Sequence, residues 1–118
     1  MRRYADREAL LDAVAVIDEF VTEADDIIID KYGYGAFHGT PLDDWLKALG
    51  VESLVITGTV TQICVEETAR QAFHFGYRTT IASDAVSSFA PDLHAATLKN
   101  FAMKFGWVAE ADEIRQWL

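Results

Sequence analysis

Strand and helix meet within one stretch of the sequence, Ser53-Leu54-Val55-Ile56-Thr57-Gly58-Thr59-Val60-Thr61-Gln62-Ile63-Cys64-Val65-Glu66-Glu67-Thr68-Ala69. Its first residues are apolar and β-branched, which predicts a strand over 53–57 that is buried on both faces. Small residues follow. Apolar and small side chains then recur at helical spacing until Gly76, which predicts a helix after Cys64. The stretch therefore indicates a β-loop-α unit.

Cys64 is the single cysteine of the chain, and this pattern places it at the N-terminus of the helix. Unpaired backbone N–H groups and the helix dipole favour a thiolate there, which is the nucleophilic form of cysteine. The position suits covalent catalysis. The alternative is a buried structural cysteine, because free cysteine is among the most buried residue types.

Strands and helices alternate along the rest of the chain. Further strands are predicted over 26–30, 78–82 and 107–109, with helices between them and a polar loop over 83–88. An N-terminal helix is predicted over about 6–22. Such alternation predicts an α/β fold with a parallel sheet covered by helices on both faces. Ligands bind at the carboxyl ends of the strands in such sheets, and Lys31, Cys64 and Asp84 all lie at these ends.

Length and composition narrow the class of protein. The 118 residues predict a single domain with one core, and 51% apolar residues are typical of a globular fold. A net charge of −9 argues against a nucleic-acid partner. No apolar run predicts a membrane span. A single cysteine fits a reducing compartment, so a cytoplasmic location is expected. The three histidines are far apart in sequence and predict no metal site.

A glycine-rich loop follows the first predicted strand, Lys31-Tyr32-Gly33-Tyr34-Gly35-Ala36-Phe37-His38-Gly39. Its glycines permit a close approach to a ligand. Tyr34 and Phe37 can line a substrate pocket, and aromatic packing under the loop explains them equally well.

Four segments together resemble a known family: Asp30-Lys31-Tyr32-Gly33-Tyr34-Gly35-Ala36-Phe37-His38-Gly39-Thr40-Pro41-Leu42, Val55 through Ala72, Gly76-Tyr77-Arg78 and Ser83-Asp84-Ala85. They are similar to the isochorismatase-like cysteine hydrolases, which include nicotinamidases, carbamoyl-amide hydrolases and ureidoacrylate amidohydrolases. The resemblance runs from about residue 26 to the C-terminus. It implies a single isochorismatase-like domain over 1–118, with a three-layer α/β/α, Rossmann-like architecture.

The resemblance also implies roles for individual residues. Cys64 would attack a small amide-type C–N substrate to give an acyl-enzyme, with Lys31 beside the thiol. The backbone N–H groups of Val60 and Cys64 would form an oxyanion hole, next to a cis peptide bond between Thr59 and Val60. Tyr34, Phe37 and Ile63 would line the substrate pocket, and no cofactor is expected.

The chain departs from the family at its N-terminal end. Members begin with a strand that ends in the catalytic aspartate, and that stretch has no counterpart here, so the chain is expected to be an N-terminally truncated member. Metal ligands of nicotinamidase-type members belong to the same stretch. The segment around Asp18 has helical spacing and does not replace the strand. Within the sequence, the one way to supply the missing carboxylate is for Asp12 or Asp18 to reach the Cys64 of a neighbouring copy.

Two functions follow from these observations. The first is a cysteine hydrolase, and the second is a catalytically impaired member that acts as a binding or assembly module. A sheet without its central strands exposes apolar faces and unpaired edges, which predicts a homo-oligomer, most simply a two-fold dimer.

Overall fold

The computed structural model describes residues 23–118, and the predicted helix over 6–22 lies outside them. The described part alternates helices and strands. In chain order it contains α1 (Leu42–Ala48), β1 (Ser53–Thr59), a π-helical turn (Thr61–Val65), α2 (Glu66–His74), β2 (Arg78–Ser87), α3 (Pro91–Lys104), β3 (Trp107–Ala109) and α4 (Ala111–Trp117). No helix in this range is long and apolar enough to cross a membrane.

The three strands form one parallel sheet in the order β1-β2-β3. Ser53 pairs with Arg78 and Thr80 pairs with Trp107. The register shifts after Ile56, so that Gly58 lies opposite Val86. The predicted parallel α/β architecture is confirmed, with β1 at one edge of the sheet as described.

Helices cover both faces of this sheet. On one face, Ile81 packs with residues of α2 and α3 in a buried cluster that includes Val65, Ala69 and Phe101. The next residue along β2, Ala82, points to the other face, because side chains alternate along a strand. There it packs with Ala109 and with Ile114 of α4. The layers are therefore helix, sheet and helix.

The predicted strand over 26–30 is not present, since these residues have no regular secondary structure. Ile27 and Ile28 are exposed to solvent. A strand is held by hydrogen bonds to a neighbouring strand, and none of the described strands pairs with this segment. An apolar β-branched run is a strand signal only where such a partner exists.

The predicted loop over 83–88 is also wrong for most of its length, because β2 extends through Ser87. Polar residues suggested a loop here, but this end of β2 pairs with the glycine-containing end of β1. Asp84 lies within this extended strand and contacts α4. Its Oδ1 accepts a hydrogen bond of 2.8 Å from the backbone N–H of Ala111, at the start of α4.

Candidate functional site

Cys64 lies in the π-helical turn between the carboxyl end of β1 and the start of α2. The backbone N–H groups of Ile63 and Val65 both donate to the carbonyl of Val60, at 3.0 and 3.2 Å. The free thiol is half-buried. The sequence predicted an ordinary helix N-terminus. The structure instead places the cysteine in a wider turn that continues directly into α2.

The peptide bond between Thr59 and Val60 is cis, as the resemblance implied. It lies at the last residue of β1 and leads directly into the cysteine turn. Val60 and Cys64 thus belong to one compact segment. Their predicted joint use as oxyanion donors stays a prediction.

Lys31 is exposed and is tied to its own loop. Its Nζ donates to the carbonyl oxygens of Gly33 and Tyr34, at 2.9 and 3.2 Å. Among the hydrogen bonds and ion pairs of residues 23–118, these two are the only ones that Lys31 makes. Its predicted position beside the thiol therefore stays a prediction.

The glycine-rich loop is docked on α2. Ala36 N–H donates to Thr68 Oγ1 at 2.9 Å, and Phe37 N–H donates to Gln71 Oε1 at 3.3 Å. Gly35 packs so closely on Gln71 that a Cβ at this position would clash with its side-chain amide. The helix that follows Cys64 thus positions the loop that carries Lys31.

Thr68 and Gln71 were missed in the sequence. Both follow Cys64 at helical spacing, four and seven residues later, so all three share one side of the helical segment. That spacing is the sequence signal that could have identified Thr68 and Gln71 as neighbours of the site. It did not indicate that their side chains would bind backbone N–H groups of a loop more than thirty residues earlier.

Tyr34 and Ile63 line one open hollow of about 390 Å³, together with Gln62, Glu66, Glu67 and Arg70. The hollow borders the cysteine turn, because Gln62 and Ile63 belong to that turn. On its α2 side, Arg70 Nη2 lies 3.3 Å from Glu66 Oε1, and Glu67 Oε1 accepts a hydrogen bond from Gln71 Nε2 at 3.4 Å. Two of the three predicted pocket residues are therefore brought together.

Phe37 is not part of this hollow. It is buried and stacks on Phe75 and Tyr77, with ring centroids at 5.1 and 5.9 Å. Of the two interpretations that the sequence allowed, the contacts of Phe37 are those of a packing residue.

His94, at the start of α3, contacts the cysteine turn. Its Nδ1 lies 2.8 Å from Oγ1 of Thr61, the first residue of the turn. The sequence analysis considered His94 only among the three histidines that predict no metal site, and it assigned His94 no role. Within residues 23–118, no group of three or more His, Cys, Asp or Glu side chains is arranged to hold a metal ion.

The parallel sheet and the cis peptide bond between Thr59 and Val60 are both features that the resemblance implied. The Isochorismatase domain model matches residues 12–113, starting earlier than the resemblance suggested. The chain belongs to the isochorismatase family.

Individual relatives agree with this assignment. The chain is 42% identical over 97 residues to the ureidoacrylate amidohydrolase RutB of Methylobacterium radiotolerans, covering 81% of this chain and 38% of that protein. It is 38% identical over 91 residues to nicotinamidase 3 of Arabidopsis thaliana, covering 77% of this chain and 46% of that protein. The chain thus spans less than half the length of these curated relatives.

A solved structure supports the fold in the same way. A cysteine hydrolase from Pseudomonas syringae pv. phaseolicola 1448A superposes with a TM-score of 0.83 at 33% identity. The superposition covers 87% of this chain and 54% of that chain. The observed sheet and helices are therefore those of an isochorismatase-like α/β domain.

Proposed function

We propose that this chain is a hydrolase that cleaves the C–N bond of a small amide-type substrate, with Cys64 as the nucleophile. The observation that carries the proposal is the position of Cys64. The thiol lies half-buried in a π-helical turn at the carboxyl end of a parallel strand, where ligands bind in such sheets. The names of the relatives, an amidohydrolase and a nicotinamidase, support the amide class.

The reaction follows from covalent catalysis. The sulfur of Cys64, as thiolate, attacks the substrate carbonyl, and an S–C bond forms as the carbonyl π electrons move to oxygen. The backbone N–H groups of Val60 and Cys64 stabilise that oxyanion. The acid-base group takes the proton of the thiol before the attack. When the C–N bond breaks and the carbonyl reforms, the electron pair of that bond leaves with nitrogen, which takes this proton from the acid-base group. Water then hydrolyses the thioester and releases the acid.

The acid-base group is proposed to be a carboxylate, and Lys31 is proposed to favour the thiolate by its charge. The loop that begins with Lys31 hydrogen-bonds through Ala36 and Phe37 to α2, the helix that follows Cys64, which supports this role. Asp12 and Asp18, the carboxylates considered from the sequence, lie outside the described residues. Their role as acid-base groups from a neighbouring copy is a proposal on sequence grounds alone.

The test is to incubate the chain with nicotinamide and with ureidoacrylate and to measure hydrolysis by the release of ammonia. Cys64→Ala should abolish the release, and iodoacetamide should inactivate the wild-type chain in step with labelling of Cys64. His74→Ala serves as the matched control, because His74 is exposed at the far end of the same helix. Retention of full activity by Cys64→Ala would exclude the cysteine mechanism.

A second candidate is a binding or assembly module that retains the family fold without turnover. It is favoured by the hydrogen bonds of Lys31, which among residues 23–118 go to loop carbonyls and not to Cys64. This candidate predicts that the amides bind, by calorimetry or by NMR shifts at Tyr34 and Ile63, while no ammonia is released.

We also propose that residues 1–118 form one domain that assembles as a homo-oligomer, most simply a two-fold dimer. Residues of all three strands and of α4 form an apolar groove of about 430 Å³, lined in part by Val55, Trp107, Trp117 and Leu118. All four side chains are exposed in the described chain. Contiguous exposed apolar surface of this kind typically marks an interaction site.

A further inference from the structure

The strongest unassigned contact near the thiol is the hydrogen bond between Thr61 and His94. Thr61 opens the π-helical turn and is completely buried. Its hydroxyl lies 2.8 Å from His94 Nδ1. Among the hydrogen bonds of residues 23–118, this is the only one that the Thr61 side chain makes. The contact joins the segment that carries Cys64 to a different helix, 33 residues later in the chain.

His94 is a fixed partner because α3 is anchored in the core. Thr97 and Phe101 follow His94 at helical spacing, and both are buried. Phe101 belongs to the same core cluster as Val65, the last residue of the cysteine turn. The ring of His94 is therefore held relative to both the sheet and the turn.

A buried hydroxyl without a hydrogen-bond partner is unfavourable, so the turn would have to move to satisfy Thr61 if the imidazole were absent. Movement of the first residue of a five-residue turn displaces the others. The backbone N–H groups of Ile63 and Val65 donate to the carbonyl of Val60, and that of Glu66 donates to the carbonyls of Ile63 and Thr61, so these bonds stay within the segment. The side-chain bond at Thr61 ties the turn to an outside element.

We propose that His94 is a positioning residue for Cys64, which acts by holding the Thr61 hydroxyl and through it the π-helical turn. The inference rests on the proposed role of Cys64 as nucleophile. It assigns His94 no contact with substrate and no proton transfer in the reaction. Either the Thr61 hydroxyl donates to Nδ1, or Nδ1–H donates to the hydroxyl oxygen, and both tautomers hold the turn.

The test uses two substitutions of His94 whose side-chain amides differ in length. In His94→Asn the side-chain amide occupies the place of Nδ1 and offers both a donor and an acceptor. In His94→Gln the amide extends towards the place of Nε2 and cannot reproduce the bond. We expect kcat for amide hydrolysis to fall about 10- to 100-fold in His94→Ala and His94→Gln, with little change in KM, because a small displacement of a nucleophile has effects of this size. His94→Asn should recover most of the rate.

A double-substitution cycle shows whether His94 acts through Thr61. Thr61→Val removes the hydroxyl and keeps the shape of the side chain. It should lower kcat as His94→Ala does, and the double variant should be no slower than either single variant, since residues that act through one contact are not additive. His74→Ala is the control histidine and should match wild type. Independent, multiplicative losses, or equal behaviour of the Asn and Gln variants, would overturn the proposal.

A second readout separates this inference from the proposed function. The rate of Cys64 alkylation by iodoacetamide at fixed pH needs no substrate turnover. We expect wild type and His94→Asn to react alike, and His94→Ala, His94→Gln and Thr61→Val to share a different rate. If the wild-type chain hydrolyses no amide, the proposed function fails while this series still decides the role of His94. If His94→Ala does not fold, the Asn, Gln and Val variants carry the comparison.

Discussion

Gly35 is the residue at which the lysine loop meets the cysteine helix most closely. A methyl group there would clash with the amide of Gln71, which is the acceptor for Phe37 N–H. We expect Gly35→Ala to displace that side chain, to lower the free energy of unfolding by about 1 to 2 kcal/mol and to reduce amide hydrolysis more than stability alone explains. Gly33→Ala is the matched control, because its Cβ would meet only His38 Cδ2 at an ordinary 3.6 Å. Equal effects of the two substitutions, by chemical denaturation and activity assay, would show that Gly35 has no special role in docking.

The residues of this site also show which features the sequence could predict at the scale of single residues. The cysteine turn and the glycine-rich loop were found because short-range patterns define them. The hydrogen bonds of Thr68 and Gln71 to the loop, and of Thr61 to His94, join residues more than thirty positions apart. Such pairs depend on how the elements pack, which no local pattern specifies.

At the scale of elements, α1 is fastened to the start of β2 by one strong polar contact. Tyr77 Oη donates to Asp43 Oδ1 at 2.6 Å, and Asp43 also pairs with Lys47. The hydrogen bond from Lys47, followed by the one from Tyr77, lowers the pKa of Asp43 below its ordinary 3.8. Burial, followed by the bond to Asp43, raises the pKa of Tyr77 from 10.0 to about 12.

These directions predict how stability depends on pH. The carboxylate of Asp43 contributes stability that is present above pH 3.8 and lost as the pH falls through its lowered pKa. The phenol of Tyr77 contributes stability that is present below pH 10.0 and lost as the pH rises towards about 12. Tyr77→Phe should therefore flatten the stability profile at both ends. Denaturant midpoints measured across pH test this, with the exposed Tyr32→Phe as control. Unchanged profiles in Tyr77→Phe would contradict it.

The turn between α3 and β3 depends on the small size of Gly106. An added Cβ would clash with the backbone carbonyl of Thr79 and lie 2.9 Å from the ring of Phe101, which is fully buried. Because backbone cannot move aside as a flexible side chain can, we expect Gly106→Ala to cost about 1 to 3 kcal/mol. Thermal unfolding measures the loss, and Gly33→Ala again gives the reference for an uncrowded glycine. A melting temperature equal to that of Gly33→Ala would show that the contact relaxes freely.

Elements were predicted well where their own sequence carried the signal. The strands at 53–57, 78–82 and 107–109 and the helix from Pro91 were all found, because burial, periodicity and terminating glycines coincide there. The strand prediction over 26–30 was wrong because a strand needs a partner, and no described strand lies beside this segment. The end of β2 was missed because its pairing with Gly58 and Thr59 follows a shift in register that polar composition conceals.

At the scale of the whole molecule, the described chain leaves part of its sheet open. β1 pairs only with β2 among the described strands, and the side chains on its outer face are largely exposed. α4 covers β2 and β3 at Ala82 and Ala109 but leaves Val55 and Trp107 about half exposed. An unpaired strand edge beside an apolar groove favours association with a second copy. On association the strand edge gains backbone hydrogen bonds, and the apolar groove is removed from water.

The proposed homo-oligomer can be tested at Val55. Its side chain is 47% exposed and lines the apolar groove, so a lysine there is tolerated by a folded single chain and opposes burial in an interface. We expect wild type to sediment as a dimer at micromolar concentration and Val55→Lys to sediment as a monomer with a native circular dichroism spectrum. Phe89→Lys replaces an exposed aromatic residue outside the groove and should remain dimeric. A stable folded monomer of the wild-type chain would refute the assembly, and dimers of both variants would place the interface on another surface.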